Sequence, residues 1–388
     1  MNILILGDIC PAEGTRSLFD SGDEKAIFGT LLPLLQTADV TVGNLECALS
    51  LAALDAVKTG PILRAKPTDA QVLSRAGFDI LGIANNHIQD CGSDGVLETV
   101  EALRNASVAP VGGGASPDEA AAPRVIENNG LKIGIIAVAE REFNAVSDTC
   151  AGAHIFDPLT DLERIRDCAL ECDFTVVLYH GGIEDYAFPS PELANTCRAL
   201  IRNGANLVLC QHSHVIGTLE HYQGGQILYG QGNAVYGHRP HNDQWNEGLA
   251  VSITISKTKK SAKASCEVQL LPIGSDTHGK VDLLPPNRAE LVLTQLNQRS
   301  QLAADPAVIE QKWVQFCATL GNQNLPHAFG LGLWATRINK LLKGLLVKLL
   351  YTRKQKMIAM NVIRCAAHRE VILTSLEQAS KPAQASDG

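Results

Sequence analysis

Short apolar runs rich in Val, Ile and Leu recur through the first 255 residues, and stretches with helical periodicity separate the early ones. The runs predict strands at 3–7, 40–44, 80–84, 109–111, 133–138, 174–179, 207–210, 227–229 and 249–255. Helical patterns at 70–76 and 95–104 fall between them. Strands that are apolar throughout, alternating with helices, predict an α/β layered core with helices covering the sheet faces. After residue 205 the helical pattern stops and strands follow one another, which predicts an antiparallel closing segment. Residues 257–263 (KTKKSAK) read as an exposed hairpin loop, and 380–388 are small and polar and are expected to fray.

Length and composition leave room for one large core and an appendage: 388 residues, 45% of them hydrophobic. No basic and apolar leader precedes the strand that opens at residue 2, so no secretory signal is expected. No apolar run approaches the roughly 18 residues of a membrane span. The cysteines number 11, without a CxxC pair, which fits reduced packing thiols in a cytoplasmic protein. The net charge of −8 is unevenly spread, because between Glu310 and Glu370 there are ten Lys or Arg and no acid. The remainder therefore carries −18 by subtraction. No nucleic-acid partner is expected.

The polar residues just beyond the strands form a set. The strand 3–7 runs into Asp8, 40–44 into Glu46, and 80–84 into Asn85, Asn86 and His87. The strand 174–179 runs into His180, and 207–210 into Gln211, His212, Ser213 and His214. Ligands of open α/β sheets sit outside the carboxyl ends of strands. Five strand ends that each deliver a carboxylate, amide or imidazole suit divalent metal binding, and one carboxylate can bridge two cations. The six candidates Asp8, Glu46, Asn86, His180, His212 and His214 are expected to converge because each closes a strand of the same sheet. Side-chain alternation along a strand would turn His212 and His214 to one side. With Asn86 offering its carbonyl oxygen, His87 is left free for proton work.

The succession GDI (7–9), GNLE (43–46), LRAKPTDAQVLSRAGFDILGIANNH (63–87), VGGG (111–114), YHGG (179–182), CQHSHVI (210–216) and YGQGNAVY (229–236) resembles the capsule synthesis protein CapA family. That family is implicated in poly-γ-glutamate capsule biosynthesis and belongs to the calcineurin-like metallophosphoesterase superfamily. The resemblance covers about residues 1–255. It implies a four-layer α/β/β/α sandwich holding one or two divalent metal ions (Mn, Fe, Zn or Mg). By position it implies Asp8 and His214 on one metal, Asn86, His180 and His212 on the other, and Glu46 at the bridging carboxylate. His87 takes the place of the catalytic histidine. Cys10 stands where the superfamily has a histidine, Glu46 where aspartate is usual, and Ser213 where the family often has proline. Cys10 reads as a packing residue or as a thiolate ligand.

Around this centre, Arg64 and Lys66 are candidates for binding an anionic substrate, with a solvated surface as the plain alternative. Asn233 is a third candidate, in a turn near the metals. His238 and His241 read as a solvated loop within reach of substrate, and the glycines 112–114 as a loop rather than a phosphate cradle.

The segment ATRINKLLKGLLVKLLY (335–351) reads as one amphipathic helix, with leucines on one face and Arg337, Lys340, Lys343 and Lys348 on the other. Such a helix suits either an anionic membrane interface or docking on protein. The expected organisation is a metallophosphoesterase-like domain at 1–275 and a basic helical extension at 290–380. Two functions follow from the resemblance. One is metal-dependent hydrolysis of an anionic polymer or phosphorylated substrate, alongside capsule synthesis enzymes. The other is a non-catalytic, polyanion-binding assembly subunit. Either would work in the cytoplasm, including the inner face of the membrane.

Overall fold

The computed structural model describes residues 1–52, 55–256, 265–328, 330 and 332–380. The chain divides into two compact units, Met1–Gln311 and Lys312–Gly388.

The first unit is built on two sheets. The larger has eight strands in the order Val281–Leu283, Ser265–Ser275, Glu247–Ser256, Asn2–Ile9, Val40–Leu45, Ile80–Gly82 and Ala109–Val111, with Asn233–Val235 also paired to Asn2–Ile9. The second has six, in the order Leu219–Tyr222, Gly225–Leu228, Leu207–Gln211, Phe174–His180, Leu131–Ala139 and Arg124–Asn128. The central strands of each sheet run parallel, so their carboxyl ends share one edge.

Alternation of side chains explains why these strands are apolar throughout. Ile3 and Ile5 point into the space between the sheets, where they join Val42 and meet Ile133, Ile135, Val176 and Leu209 of the other sheet. Leu4 and Leu6 point the opposite way, onto a cluster that includes Leu73, Val96 and Leu103. Those three belong to the helices Asp69–Ala76 and Gly92–Asn105. In the second sheet Ile136 and Val138 turn outward onto Ile165 and Cys168 of the helix Pro158–Glu171 and Leu193 and Cys197 of Pro191–Arg202. Three cores between four layers make an α/β/β/α sandwich with further helices at the C-terminus. Full burial of each such aliphatic side chain stabilises the fold by about 1.5–3 kcal/mol.

Two local features aim the carboxyl ends. Gly7 lets the first strand approach the turn at Gly232, whose carbonyl oxygen would lie 2.2 Å from a Cβ at position 7. Arg16 grips Asp69 through two bonds of 2.5 and 2.6 Å, fixing the helix that ends at Gly77 (φ +112°) and feeds the strand Ile80–Gly82.

Several expectations change. The strand Gly225–Leu228 is antiparallel to Leu219–Tyr222 but parallel to Leu207–Gln211, and Asn233–Val235 is parallel to Asn2–Ile9. The closing segment is therefore mixed and becomes wholly antiparallel from Glu247–Ser256 onward. The first unit reaches Gln311 rather than 275, because Val292 and Leu296 of the helix Pro286–Ala303 are buried in the core between the sheets. The single helix expected over 335–351 is two, Leu333–Leu341 and Leu345–Leu350. Lys343 (φ +50°) and Gly344 (φ +84°) break it. The buried Asn339 holds the turn, accepting from Gly344 N at 2.8 Å and Val347 N at 3.1 Å. The hairpin loop expected at 257–263 lies outside the described residues, as do 381–388. Among the described residues no helix is long and apolar enough to cross a membrane.

Candidate metal centre

The six strand-end candidates meet, although not from one sheet. Asp8 lies near the end of the strand Asn2–Ile9, and Glu46 and Asn86 follow strands of the same eight-stranded sheet, whereas His180, His212 and His214 come from the six-stranded sheet. The sandwich brings the carboxyl ends of both sheets to a common edge, and the cluster spans them.

Parallel pairing sets Asp8 beside Asn44. Asn44 donates to Asp8 Oδ1 at 2.8 Å, and its amide nitrogen lies 3.1 Å from His180 Nδ1. Across the gap, His180 Nε2 is 3.0 Å from Asn86 Oδ1 and 3.6 Å from Glu46. His214 Nδ1 lies 3.4 Å from Asp8 Oδ2, and its Nε2 lies 3.7 Å from Glu46. Two overlapping groups result, Asp8 with Glu46 and His180, and Glu46 with His212 and His214. Within each, one ligand atom per residue lies within 4.8 Å of the others. Glu46 is common to both.

His212 and His214 reach the cluster by a different route from strand alternation. The strand ends at Gln211, and both histidines adopt left-handed backbone conformations, φ +86° and +56°. Such conformations cost of the order of 1–3 kcal/mol each and persist where their surroundings fix them. Here His212 N donates to Asp8 Oδ2 at 3.2 Å. The His214 ring packs against both Tyr236 and Trp245, with centroids 4.6 and 4.7 Å away.

The electrostatics suit a cation. All six side chains are buried. Among the described residues, neither oxygen of Glu46 finds a well-formed hydrogen bond, and His212 Nδ1 has no partner. Burial, then the Asp8 charge, pushes the Glu46 carboxyl well above its ordinary range, and the nearby Tyr236 hydroxyl offsets this only in part. Burial, then the other histidines, holds His180 well below the usual imidazole value. Burial, then His214, lowers His212 to about 4. His180 and His212 are therefore neutral at pH 7 and free to bind through nitrogen. A buried carboxylate without donors is costly unless a cation neutralises it, and an oxygen and imidazole donor set fits Mn, Fe or Zn.

His87 sits beside this group, with its Nδ1 2.7 Å from Asp90 Oδ2. Asp90 also accepts from Leu63 N at 2.6 Å and pairs with the buried Lys58, whose Nζ is 3.3 Å from His87 Nδ1. The carboxylate fixes the orientation of the imidazole through Nδ1. Asn85 is structural: its side chain donates to Leu45 O at 2.7 Å and accepts from His87 N at 3.1 Å.

Comparison with known proteins places the chain. The family model "Bacterial capsule synthesis protein PGA_cap" matches residues 2–238. The chain belongs to this family. Similar curated proteins include "Capsule biosynthesis protein CapA" of Bacillus anthracis, 24% identical over 61% of this chain and 60% of that protein. Another is "PGA biosynthesis protein CapA" of Bacillus subtilis, 25% identical over 71% of this chain and 72% of that protein. The match thus spans about three fifths of the first relative's length and somewhat more of the second's. Among solved structures, a 5'-nucleotidase precursor from Thermus thermophilus aligns with TM-score 0.40 and 14% identity, covering 77% of this chain and 58% of that one.

The remaining candidates are placed as follows. Asn233 lies against the cluster, its Oδ1 2.9 Å from His214 Nδ1 and its Nδ2 donating to Trp245 O, so it orients a histidine. The polar contacts of Arg64 run to Cys91 and Asp55, and those of Lys66 to Asp20. Cys10 is packed with Cys47 in the core between the first sheet and its helices, where each is buried. His238 is 3.4 Å from Ser275 O. Sequence reasoning missed Asn44 and Asp90. Asn44 stood inside the quoted GNLE motif, two residues before Glu46, and Asp90 lies three residues beyond the end of the ANNH motif.

Proposed function

We propose that this PGA_cap-family chain is a metal-dependent hydrolase in capsule or poly-γ-glutamate biosynthesis or processing. Its substrate is an anionic polymer or a phosphorylated compound, and capsule synthesis enzymes are its partners. The observation that carries the reading is Glu46, a fully buried carboxylate without well-formed hydrogen bonds, shared by two groups of ligand atoms. Asp8, Glu46, Asn86, His180, His212 and His214 would hold one or two divalent ions. When bound, such ions lower the pKa of water and polarise a phosphoryl or acyl oxygen.

The chain's own residues supply the rest. Asn44 orients Asp8 and His180, Asn233 orients His214, and Asp90 holds His87 so that Nε2 can deliver a proton to the leaving oxygen. The test is turnover of bis(p-nitrophenyl) phosphate by the full chain with Mn, Fe, Zn or Mg added, and with EDTA. Metal-dependent turnover abolished by Glu46→Gln supports hydrolysis. Bound metal without turnover on this or on polyglutamate supports the alternative, a binding subunit.

A further inference from the structure

The second unit carries a surface that the proposed hydrolysis does not use. Within residues 311–369 there are ten Lys or Arg and no acid. On the helix Leu333–Leu341, Trp334, Ile338 and Leu341 follow one another at helical spacing. They are 76%, 47% and 82% exposed. On Leu345–Leu350, Leu345 and Leu349 repeat the spacing, and Leu349 is 73% exposed. Arg337, Lys340 and Lys348 are exposed on the same two helices and Lys343 on the turn between them, and the Arg337 guanidinium lies 5.4 Å over the Trp334 ring. The turn pinned by the buried Asn339 keeps these short helices together, so the exposed leucines are not the face of an unformed helix.

We propose that this pair of helices is an interfacial anchor that lies in the headgroup layer of an anionic phospholipid bilayer. A membrane surface matches both halves of the pattern: leucines and a tryptophan enter the acyl boundary while the cations meet lipid phosphates. A second copy matches only the apolar half, because it would bring the same excess of cations face to face. A soluble polyanion matches only the charges and leaves the leucines in water. The two helices are nine and six residues long, far short of the roughly 20 residues of a membrane span, which restricts their contact to the interface. The inference stands whether or not the centre in the first unit is hydrolytic.

Co-sedimentation of the full chain with large vesicles tests it, using phosphatidylcholine alone and equal parts phosphatidylcholine and phosphatidylglycerol. Binding is expected only to the anionic vesicles, and it should fall as salt rises towards about 1 M, where the Debye length is about 3 Å. Lys340→Gln with Lys343→Gln should lower the partition coefficient about thirtyfold, at roughly a factor of five per cation. Leu341→Ser with Leu349→Ser alters only exposed positions, so the circular dichroism spectrum should stay unchanged while vesicle binding is lost. Absence of binding to anionic vesicles at low salt overturns the proposal. So does binding by either variant equal to that of the wild type, or self-association that the leucine variant abolishes without any vesicle binding.

Discussion

Replacing Glu46 by glutamine separates a metal-bridging carboxylate from a merely buried one. Glu46 is fully buried, lacks well-formed hydrogen bonds, and has its pKa raised well above 4.5 by burial and then by Asp8. A carboxyl raised in the folded state contributes stability that is fully present below its unfolded pKa and is lost as pH rises through the folded pKa. In EDTA the wild-type protein is therefore penalised at pH 7.5 and not at pH 4. Glutamine keeps the shape and removes the charge. The amide it leaves unpaired costs about 1–3 kcal/mol, against about 3–5 kcal/mol for an uncompensated buried charge. The difference is about 2 kcal/mol in favour of Glu46→Gln at pH 7.5, a rise in Tm of roughly 4–8 °C at about 2–4 °C per kcal/mol. At pH 4 the advantage should vanish. With Mn at about a hundred times Kd, wild type gains about 2.7 kcal/mol, the variant gains little, and the order reverses. Scanning calorimetry with EDTA at both pH values and with Mn at pH 7.5 reads all three. A variant less stable than wild type in EDTA at pH 7.5, or one with the full metal-induced gain, refutes the reasoning.

Other outcomes follow from the same geometry. His87→Ala should leave metal content intact and lower phosphodiester turnover about 10²–10⁴-fold, measured by metal analysis and steady-state kinetics; a fall in metal content would make His87 a ligand instead. Asn233→Ala frees His214 Nδ1 and should weaken metal affinity about 10–100-fold, measured by competition with a chromogenic chelator. His212, lowered to about 4 from 6.5, contributes stability present above pH 6.5 and lost as pH falls towards 4, so in EDTA the stability of His212→Asn should fall less over that window, by up to about 3 kcal/mol. Gly7→Ala drives a Cβ to 2.2 Å from Gly232 O and should cost about 1–3 kcal/mol, read from denaturant unfolding at unchanged metal affinity per folded molecule.

The layers were legible because sequence periodicity and burial coincide. The run of alternating Ile and Leu at 3–6 is apolar at every position, which a strand requires only when both of its faces are covered, and both are. The cluster was legible as residue types at strand ends, since that position needs no knowledge of sheet order. Sheet order itself was not: nothing local tells whether His180 and Asp8 close the same sheet, and they close different ones. The left-handed backbone of His212 and His214 was hidden for a related reason. Their conformation is held by Asp8, Asn233 and the Tyr236 and Trp245 rings, contacts distant in sequence. Lys58 was equally hidden, an exposed-looking lysine that is buried against Asp90. The break at Lys343–Gly344 had a visible signal, a glycine within the helical pattern, that leucine periodicity outweighed.

The central claim is that Glu46 lies between bound cations. Anomalous diffraction from crystals of the full chain grown with Mn tests it most directly. The account predicts a peak within coordination distance of Glu46 and His180 or of Glu46 and His214, and two such peaks if both positions fill. A Mn-bound crystal whose anomalous density lies away from the Glu46 carboxylate would contradict it.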